Sequence, residues 1–88
     1  MKIVFTSAFK RVLKKHIRRD PDLDMVFRKK IAVFQNDPYD PSLQTHKLKG
    51  TLAGSLAFSL TYKLRIVFKF TAEGYAQFSD IGTHDEVY

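Results

Sequence analysis

The sequence predicts an α+β domain in which two N-terminal helices pack on an antiparallel sheet. Apolar side chains in its first half recur every three to four residues, as in helices, and those in its second half alternate with polar ones, as in strands. The chain has 88 residues, of which 44% are hydrophobic. This is enough for one modest core, so residues 1–88 are interpreted as a single domain.

The first half is predicted to form one strand and two helices. Lys2–Thr6 (KIVFT) is typical of a short strand, and Ser7 is a candidate cap for the helix that follows. Asp20 and Pro21 are predicted to end this helix and start the second, because Asp caps helices and Pro suits the first helical position. The apolar stripes of the two helices are Phe9, Val12, Leu13 and Ile17, and then Leu23, Val26, Phe27, Ile31 and Phe34.

The second half is predicted to form a three-stranded meander after a turn-rich segment and a polar stretch. The alternating pattern runs for thirteen residues, which is long for one strand, so a turn is expected within it. The predicted core residues here are Phe58, Leu60, Leu64, Ile66, Phe68 and Phe70. The predicted turns are Thr61–Lys63 and Thr71–Gly74, followed by a strand over Tyr75–Ile81 and a tail over Gly82–Tyr88.

The composition favours an anionic partner. Fifteen Lys and Arg stand against nine Asp and Glu, for a net charge of +6, which favours nucleic acid or an acidic protein. The chain has no Cys, which excludes disulfides, thiol catalysis and cysteine-type zinc sites. We predict no cofactor, no metal and no membrane association, and a cytoplasmic location, since neither a signal-peptide layout nor a long apolar stretch is present.

Candidate site residues surround the meander. If the even positions of the alternating pattern face the helices, Arg65 and Lys69 project from the other face of the sheet. Further candidates lie before and after the meander, and they converge on this face only if the polar stretch and the tail fold over it. They are His46, Lys47 and Lys49 before it, and His84 and Tyr88 after it.

These residue types suit RNA cleavage by the RNA's own 2′-hydroxyl, without a metal. The reaction needs a base, an acid and positive charge near the phosphate. His46 and His84 can exchange protons near neutral pH, Lys47, Lys49 and Arg65 can supply the charge, and a terminal tyrosine can stack on a base. By spacing alone, the same combination is common in basic proteins that have no catalytic function.

Three stretches give the chain a family resemblance: THKLKG at Thr45–Gly50, YKLRIVFKF at Tyr62–Phe70 and DIGTHDEVY at Asp80–Tyr88. It resembles the RelE/ParE superfamily of toxins, and within it the YafQ-like and RelE-like messenger-RNA endonucleases of type II toxin–antitoxin systems. The resemblance implies a RelE-like fold of order β-α-α-β-β-β and metal-independent cleavage of mRNA, usually on the ribosome. It also implies an acidic antitoxin as partner, and no direct contact of the free toxin with DNA.

The resemblance also implies roles for individual residues. His46 and His84 match histidines of the YafQ-like branch, and Tyr88 matches the terminal aromatic near the substrate. We favour His46 as base and His84 as acid, with the opposite assignment left open. Lysines and an arginine of RelE-like members match Lys47, Lys49 and Arg65.

Two further cations, Lys63 and Lys69, are predicted to contact RNA. YafQ-like enzymes carry another His and an Asp where this chain has Ser59 and Lys63, so the predicted site combines the features of both branches. Two alternative functions stay open on the sequence. One is a ParE-like inhibitor of DNA gyrase, and the other is a degenerate toxin that only binds its antitoxin.

Two structural interpretations accompany these roles. Arg65 can equally pair with Asp80 across the sheet, which is compatible with contact to RNA. The Lys and Arg residues of the helices are interpreted mainly as solvated surface, some of which also touches ribosomal RNA through phosphate neutralisation.

Overall fold

Two helices lie on one face of a five-stranded sheet within residues 1–83, the part of the chain that the computed structural model describes. This arrangement confirms the predicted α+β class. The elements are β1 (Ile3–Phe5), α1 (Ser7–Arg19), α2 (Leu23–Asn36), β2 (His46–Lys47), β3 (Leu56–Ser59), β4 (Leu64–Phe70) and β5 (Ala76–Thr83).

The sheet is mixed, with the spatial order β1-β5-β4-β3-β2. The three meander strands β3, β4 and β5 pair in antiparallel fashion, as predicted; β2 is antiparallel to β3, and β1 pairs in parallel with β5. The antiparallel prediction missed this pairing because it joins the two ends of the described chain. The two-residue strand β2 was also missed, since its segment is too short to show alternation.

The helix boundaries differ from the prediction by one or two residues. The cap of α1 is Thr6 and not Ser7, because the Thr6 hydroxyl accepts a hydrogen bond from the Phe9 amide at 3.1 Å. Helix α2 begins at Leu23, so Pro21 lies in the turn between the helices and is not a helical residue. The predicted apolar stripes of both helices face the sheet and pack in the main core. The helical spacing of apolar residues therefore identified the buried side of each helix correctly.

The main core is a cluster of phenylalanine rings between the helices and the sheet. The ring of Phe34 stacks on Phe58 at 5.1 Å and meets Phe68 and Phe78 edge-on at 5.0 and 5.1 Å. Edge-to-face pairs add to the stabilisation that burial provides. Phe70 was predicted as core but is 37% exposed, because it ends β4 at the margin of the cluster, 6.3 Å from the ring of Tyr39.

A second, smaller cluster covers the opposite face of the sheet, which we call the open face. It consists of Leu48, Ala57 and Val67, with Leu52 packed against them. Val67 interrupts the polar positions of the alternating pattern, and this cluster is the reason: its side chain is buried on the open face.

The predicted turns over 61–63 and 71–74 are present. Strand β5 continues to Thr83, so Gly82 belongs to the strand and not to the predicted tail. Within the described residues, neither helix has the length and apolar character needed to cross a membrane.

We expect Phe34→Ala to lower the free energy of unfolding by about 3–5 kcal/mol, because it leaves a cavity against three rings. Urea denaturation measures this change. Met25→Ala on the same helix is the control, since Met25 is 63% exposed and should change stability by less than about 0.5 kcal/mol. A loss below 1 kcal/mol for Phe34→Ala would contradict the central role of this ring.

Candidate functional site

His46 lies on the open face of the sheet. It is in register with Ala57 of β3, which is in register with Val67 of β4, and Val67 with Asp80 of β5. Cross-strand neighbours point to the same face, so His46 stands beside the small apolar cluster. Asp80 stands at the other side of the same row, about 14 Å away by three strand spacings.

A backbone carbonyl determines which nitrogen of neutral His46 carries the proton. The Nδ1 atom lies 2.9 Å from the carbonyl oxygen of Gln44, and a carbonyl can only accept a hydrogen bond. Nδ1 therefore holds the proton, and the basic lone pair of the neutral ring is on Nε2. This is the tautomer that a general base working through Nε2 requires.

The segment that carries Gln44 is anchored on both sides. A 3-10 turn over Pro41–Leu43 buries Leu43 completely, and Gln44 then adopts a left-handed conformation with φ 54°. The hydroxyl of Ser59 donates to the Gln44 side-chain oxygen at 3.1 Å. These contacts fix the position of the Gln44 carbonyl, which accepts the hydrogen bond from His46 Nδ1.

Asp40 begins this anchored segment. The Ser42 hydroxyl and then the Ser42 amide donate to its carboxylate, at 2.7 and 2.9 Å, and hold the pKa of Asp40 below its ordinary value. Because the folded pKa is lowered, the capping contribution is present above the unfolded pKa and is lost as pH falls through the folded pKa. The segment before His46 therefore keeps this cap at neutral pH.

Lys47 and Lys49 do not share the face of His46. Lys47 is in register with Leu56, whose side chain packs in the main core beneath the helices. Leu48, between the two lysines, is buried in the open-face cluster. Both lysines are exposed at this edge of the sheet, and Lys47 is on its helix-bearing side.

Arg65 lies on the open face, as the alternation predicts, and is half-buried. Its Nη1 atom donates to the backbone carbonyls of Thr61 and Tyr62, both at 3.0 Å, and of Leu64 at 3.3 Å. The guanidinium therefore ties together the turn between β3 and β4. That turn presents Lys63, which is exposed.

The predicted pairing of Arg65 with Asp80 across the sheet does not form, because the two residues are not opposite each other. Arg65 is opposite Gly82, and Asp80 is opposite Val67, two positions further along β4. Among residues 1–83, the one ion pair within 4.0 Å is Arg28 with Asp24 on α2.

Lys69 is exposed on the open face, in register with Gln77. Together with His46 and Arg65 it surrounds the apolar cluster. His84 and Tyr88 lie outside the described residues, and the described chain ends at Thr83, in register with Leu64. Within residues 1–83, no group of three or more His, Asp and Glu side chains has the arrangement of a metal site.

Sequence reasoning missed Gln44 and the positioning role of Ser59. No local signal indicates them, because a glutamine with positive φ is uncommon and the bond between the two side chains spans fifteen residues. The apolar cluster of the open face did have a signal in the sequence. Val67 is the one apolar residue among the polar odd positions from Ser59 to Lys69.

Arg65→Ala should loosen the turn between β3 and β4, because it removes a charged donor shared by three carbonyls, each charged hydrogen bond contributing about 1.5–3 kcal/mol. We expect faster amide hydrogen exchange at Leu60 and Leu64, whose amides bond within this turn. Lys69→Ala, four residues along the same strand, is the control and should leave these rates unchanged. Unchanged exchange in Arg65→Ala would show that the turn does not depend on the guanidinium.

His46 should be found as the Nδ1-protonated tautomer when neutral, because the Gln44 carbonyl accepts from Nδ1. The ¹⁵N chemical shifts of the ring, measured at a pH well above the usual histidine range, report the tautomer directly. His16, a helix residue, is the internal reference within the same spectrum. Protonation of His46 at Nε2 would contradict the assignment.

No protein-family model matches the chain, and no curated protein matches it in sequence. Solved structures do match. The "YoeB/ParE toxin" of Agrobacterium tumefaciens is 20% identical with TM-score 0.78, covering 96% of this chain and 99% of that one. YafQ of E. coli is 17% identical with TM-score 0.80, covering 99% and 97%.

A copper-bound mutant toxin of Helicobacter pylori is 21% identical with TM-score 0.79, covering 100% of this chain and 99% of that one. YafQ has also been solved in a complex with DinJ. The identities are low, but each match covers 96% or more of this chain. The fold implied by the RelE/ParE resemblance is thereby confirmed: this chain has the fold of the YoeB, YafQ and Helicobacter pylori toxin structures.

Proposed function

We propose that this chain is the toxin of a type II toxin–antitoxin pair and that it cleaves messenger RNA on the ribosome. Its fold is that of a "YoeB/ParE toxin" and of YafQ, and fold alone does not decide activity. The observation that carries the proposal is the hydrogen bond from His46 Nδ1 to the Gln44 carbonyl. It puts the basic lone pair of the neutral ring on Nε2, on the same face of the sheet as Arg65 and Lys69.

In the proposed reaction, Nε2 of His46 accepts the proton of a ribose 2′-hydroxyl. The 2′-oxygen then attacks the adjacent phosphorus, and the bond from phosphorus to the 5′-oxygen of the next nucleotide breaks. A general acid donates a proton to that 5′-oxygen. The products are a 2′,3′-cyclic phosphate and a 5′-hydroxyl, and no metal or cofactor takes part.

We assign the general acid to His84, on the resemblance of the DIGTHDEVY stretch, and base stacking to Tyr88. Both follow β5, which ends at Thr83 in register with Leu64, next to Arg65. Two measurements distinguish this assignment from the reverse one, in which His84 is the base and His46 the acid. They are the tautomer of neutral His46 and the acidic and basic limbs of a pH–rate profile.

Arg65 and Lys69 are proposed to stabilise the charge that develops on the phosphate. A guanidinium has five N–H donors, and the turn carbonyls are contacted by Nη1 of Arg65. Nε and Nη2 are the donors that we assign to the phosphate. Lys47, Lys49 and Lys63, at the edges of the face, would contact the flanking RNA.

The apolar cluster is proposed as the floor of the site. Leu48, Ala57 and Val67 are buried beside His46 and Arg65, so they would support the strands that carry these side chains from below. Ser59, which stands where YafQ-like enzymes carry a different residue, would act as a positioning residue through Gln44.

The proposed protein partner is an acidic antitoxin that neutralises the toxin, acting in the cytoplasm where mRNA and ribosomes are found. The solved complex of YafQ with DinJ supports a protein partner for this fold. An acidic partner would offset the net charge of +6 and would order on binding, as is common for such inhibitors.

The test is cleavage of mRNA by the purified chain, with and without ribosomes. We expect His46→Ala and His84→Ala each to lower the cleavage rate by at least about 100-fold, because each removes a proton-transfer step. His16→Ala is the matched control and should retain the wild-type rate, since His16 lies on α1 and has no part in the proposed reaction.

If wild type cleaves nothing in either condition, the nuclease assignment is wrong. Plasmid relaxation by gyrase in the presence of the chain then tests the ParE-like alternative. Growth arrest on expression without an antitoxin separates both toxins from a degenerate chain that only binds a partner.

A further inference from the structure

A groove lies between α2 and the turn that joins β3 to β4. Strand β2 pairs only with Leu56 and Ala57, so within residues 1–83 no strand pairs with the end of β3 on that side. The space left there is about 510 Å³, which is within the range of pockets that hold small ligands. Residues from both faces of the sheet line it, among them Val26, Lys30, Gln44, Ser59, Tyr62 and Arg65.

The polar groups of this groove are mainly hydrogen-bond donors. The side-chain oxygen of Gln44 accepts from the Ser59 hydroxyl, so the two N–H groups of its amide nitrogen are the part that a ligand would meet. Arg65 uses Nη1 for the turn carbonyls, which leaves the donors on Nε and Nη2. No lining residue in the described part of the chain is acidic. This arrangement favours a ligand that is rich in acceptors, such as a phosphate.

Lys30 takes a position in the buried row of α2. It comes four residues after Val26 and four before Phe34, both of which pack in the main core, and residues four apart share a helix face. Its side chain is half-buried, whereas that of Lys29 is exposed. The Lys30 Nζ atom lies 3.5 Å from the carbonyl oxygen of Ser42, so most of its donor capacity remains for a ligand. Packing therefore holds this ammonium group at the wall of the groove.

One carboxylate near this wall is already occupied. The Ser42 hydroxyl and the Ser42 amide donate to Asp40. These contacts, and to a smaller extent the charge of Lys30, hold the pKa of Asp40 below its ordinary value. Lys30 and Arg65 are two cations against this one carboxylate, so the groove keeps a positive excess that favours an anion.

Tyr62 supplies an aromatic ring at the rim of the groove. Its side chain is 94% exposed, but its backbone carbonyl accepts from Nη1 of Arg65 at 3.0 Å. The ring is therefore open to solvent on a turn that is fixed by a guanidinium. Cationic grooves with exposed aromatic rings are typical of proteins that bind single-stranded RNA, because bases stack on the rings.

We propose that this groove holds the nucleotide next to the cleaved bond of the substrate RNA, with its phosphate on Lys30 and its base on Tyr62. Ser59 lies two residues along β3 from Ala57, the register partner of His46. The groove therefore begins about 7 Å from the row of the histidine. The inference rests on the proposed function for the choice of RNA over other phosphates.

The test of Lys30 is the affinity for a fluorescently labelled RNA hexamer with 2′-O-methyl groups, which lacks the attacking hydroxyl. Anisotropy measures it between 50 and 200 mM salt. We expect Lys30→Gln to lower the affinity about fivefold at 100 mM salt and the salt slope by about 0.7, the value for one phosphate of a single strand. Lys29→Gln removes the same charge from the adjacent exposed residue, and it should stay within about twofold of wild type.

The test of Tyr62 uses the same hexamer. We expect Tyr62→Ala to lower the affinity at least about fivefold at every salt concentration and to leave the salt slope unchanged, because stacking on a ring is not an ionic contact. Tyr39→Ala is the matched control, since Tyr39 is 58% exposed and does not line the groove. Far-UV circular dichroism confirms that each variant is folded.

Three outcomes would overturn the inference. Wild type that binds the hexamer no more tightly than Lys30→Gln/Tyr62→Ala would show that the groove contributes nothing. Equal losses in Lys30→Gln and Lys29→Gln would mean that only the total charge matters. Displacement of the hexamer by inorganic phosphate, at the same concentration of phosphate groups, would assign the groove to a free anion.

Failure of the nuclease proposal would look different, because the hexamer is bound without being cut. A chain that loses affinity in both groove variants but cleaves no mRNA would support the groove and contradict the proposed reaction. A chain that cleaves mRNA while both groove variants bind like their controls would contradict the groove and leave the reaction standing.

Discussion

The packing of phenylalanine rings around Phe34 is the interaction on which the other features depend. The ring lies between three strand phenylalanines and is fully buried. It fixes the helices on one face of the sheet and leaves the other face to a small apolar cluster with polar surroundings. Because the helices occupy a single face, α1 and the ring of His46 lie on opposite faces of the sheet.

The position of His46 depends on backbone geometry more than on its own strand. A two-residue strand would hold a side chain weakly, but the preceding segment is capped at Asp40, buried at Leu43 and turned at Gln44. The Gln44 carbonyl then selects the tautomer of the ring. The proposed proton transfer needs a basic nitrogen at a fixed position. The segment from Asp40 to Gln44, which is anchored in the core by Leu43, fixes both the tautomer and the position of the His46 ring.

The cations of this fold are distributed unevenly between the open face and α1. The open face carries few cations, and one of them, Arg65, is partly committed to the carbonyls of a turn. Long-range attraction to a polyanion would come mainly from α1, which carries six of the 15 Lys and Arg and no acidic residue. In the proposed reaction, the cations near the phosphate could then be few and well positioned, because long-range attraction would not depend on them.

The sequence by itself determined the helices, the meander, the two apolar stripes and the concentration of charge, since these depend on the local periodicity of side chains. Only the tertiary structure decided the parallel pairing of β1 with β5, the partners of Arg65 and the separation of Lys47 from the face of His46. It also placed Ser59 against Gln44. Each of these depends on strand register or on contacts between residues distant in the chain, and periodicity within a segment carries no information about either.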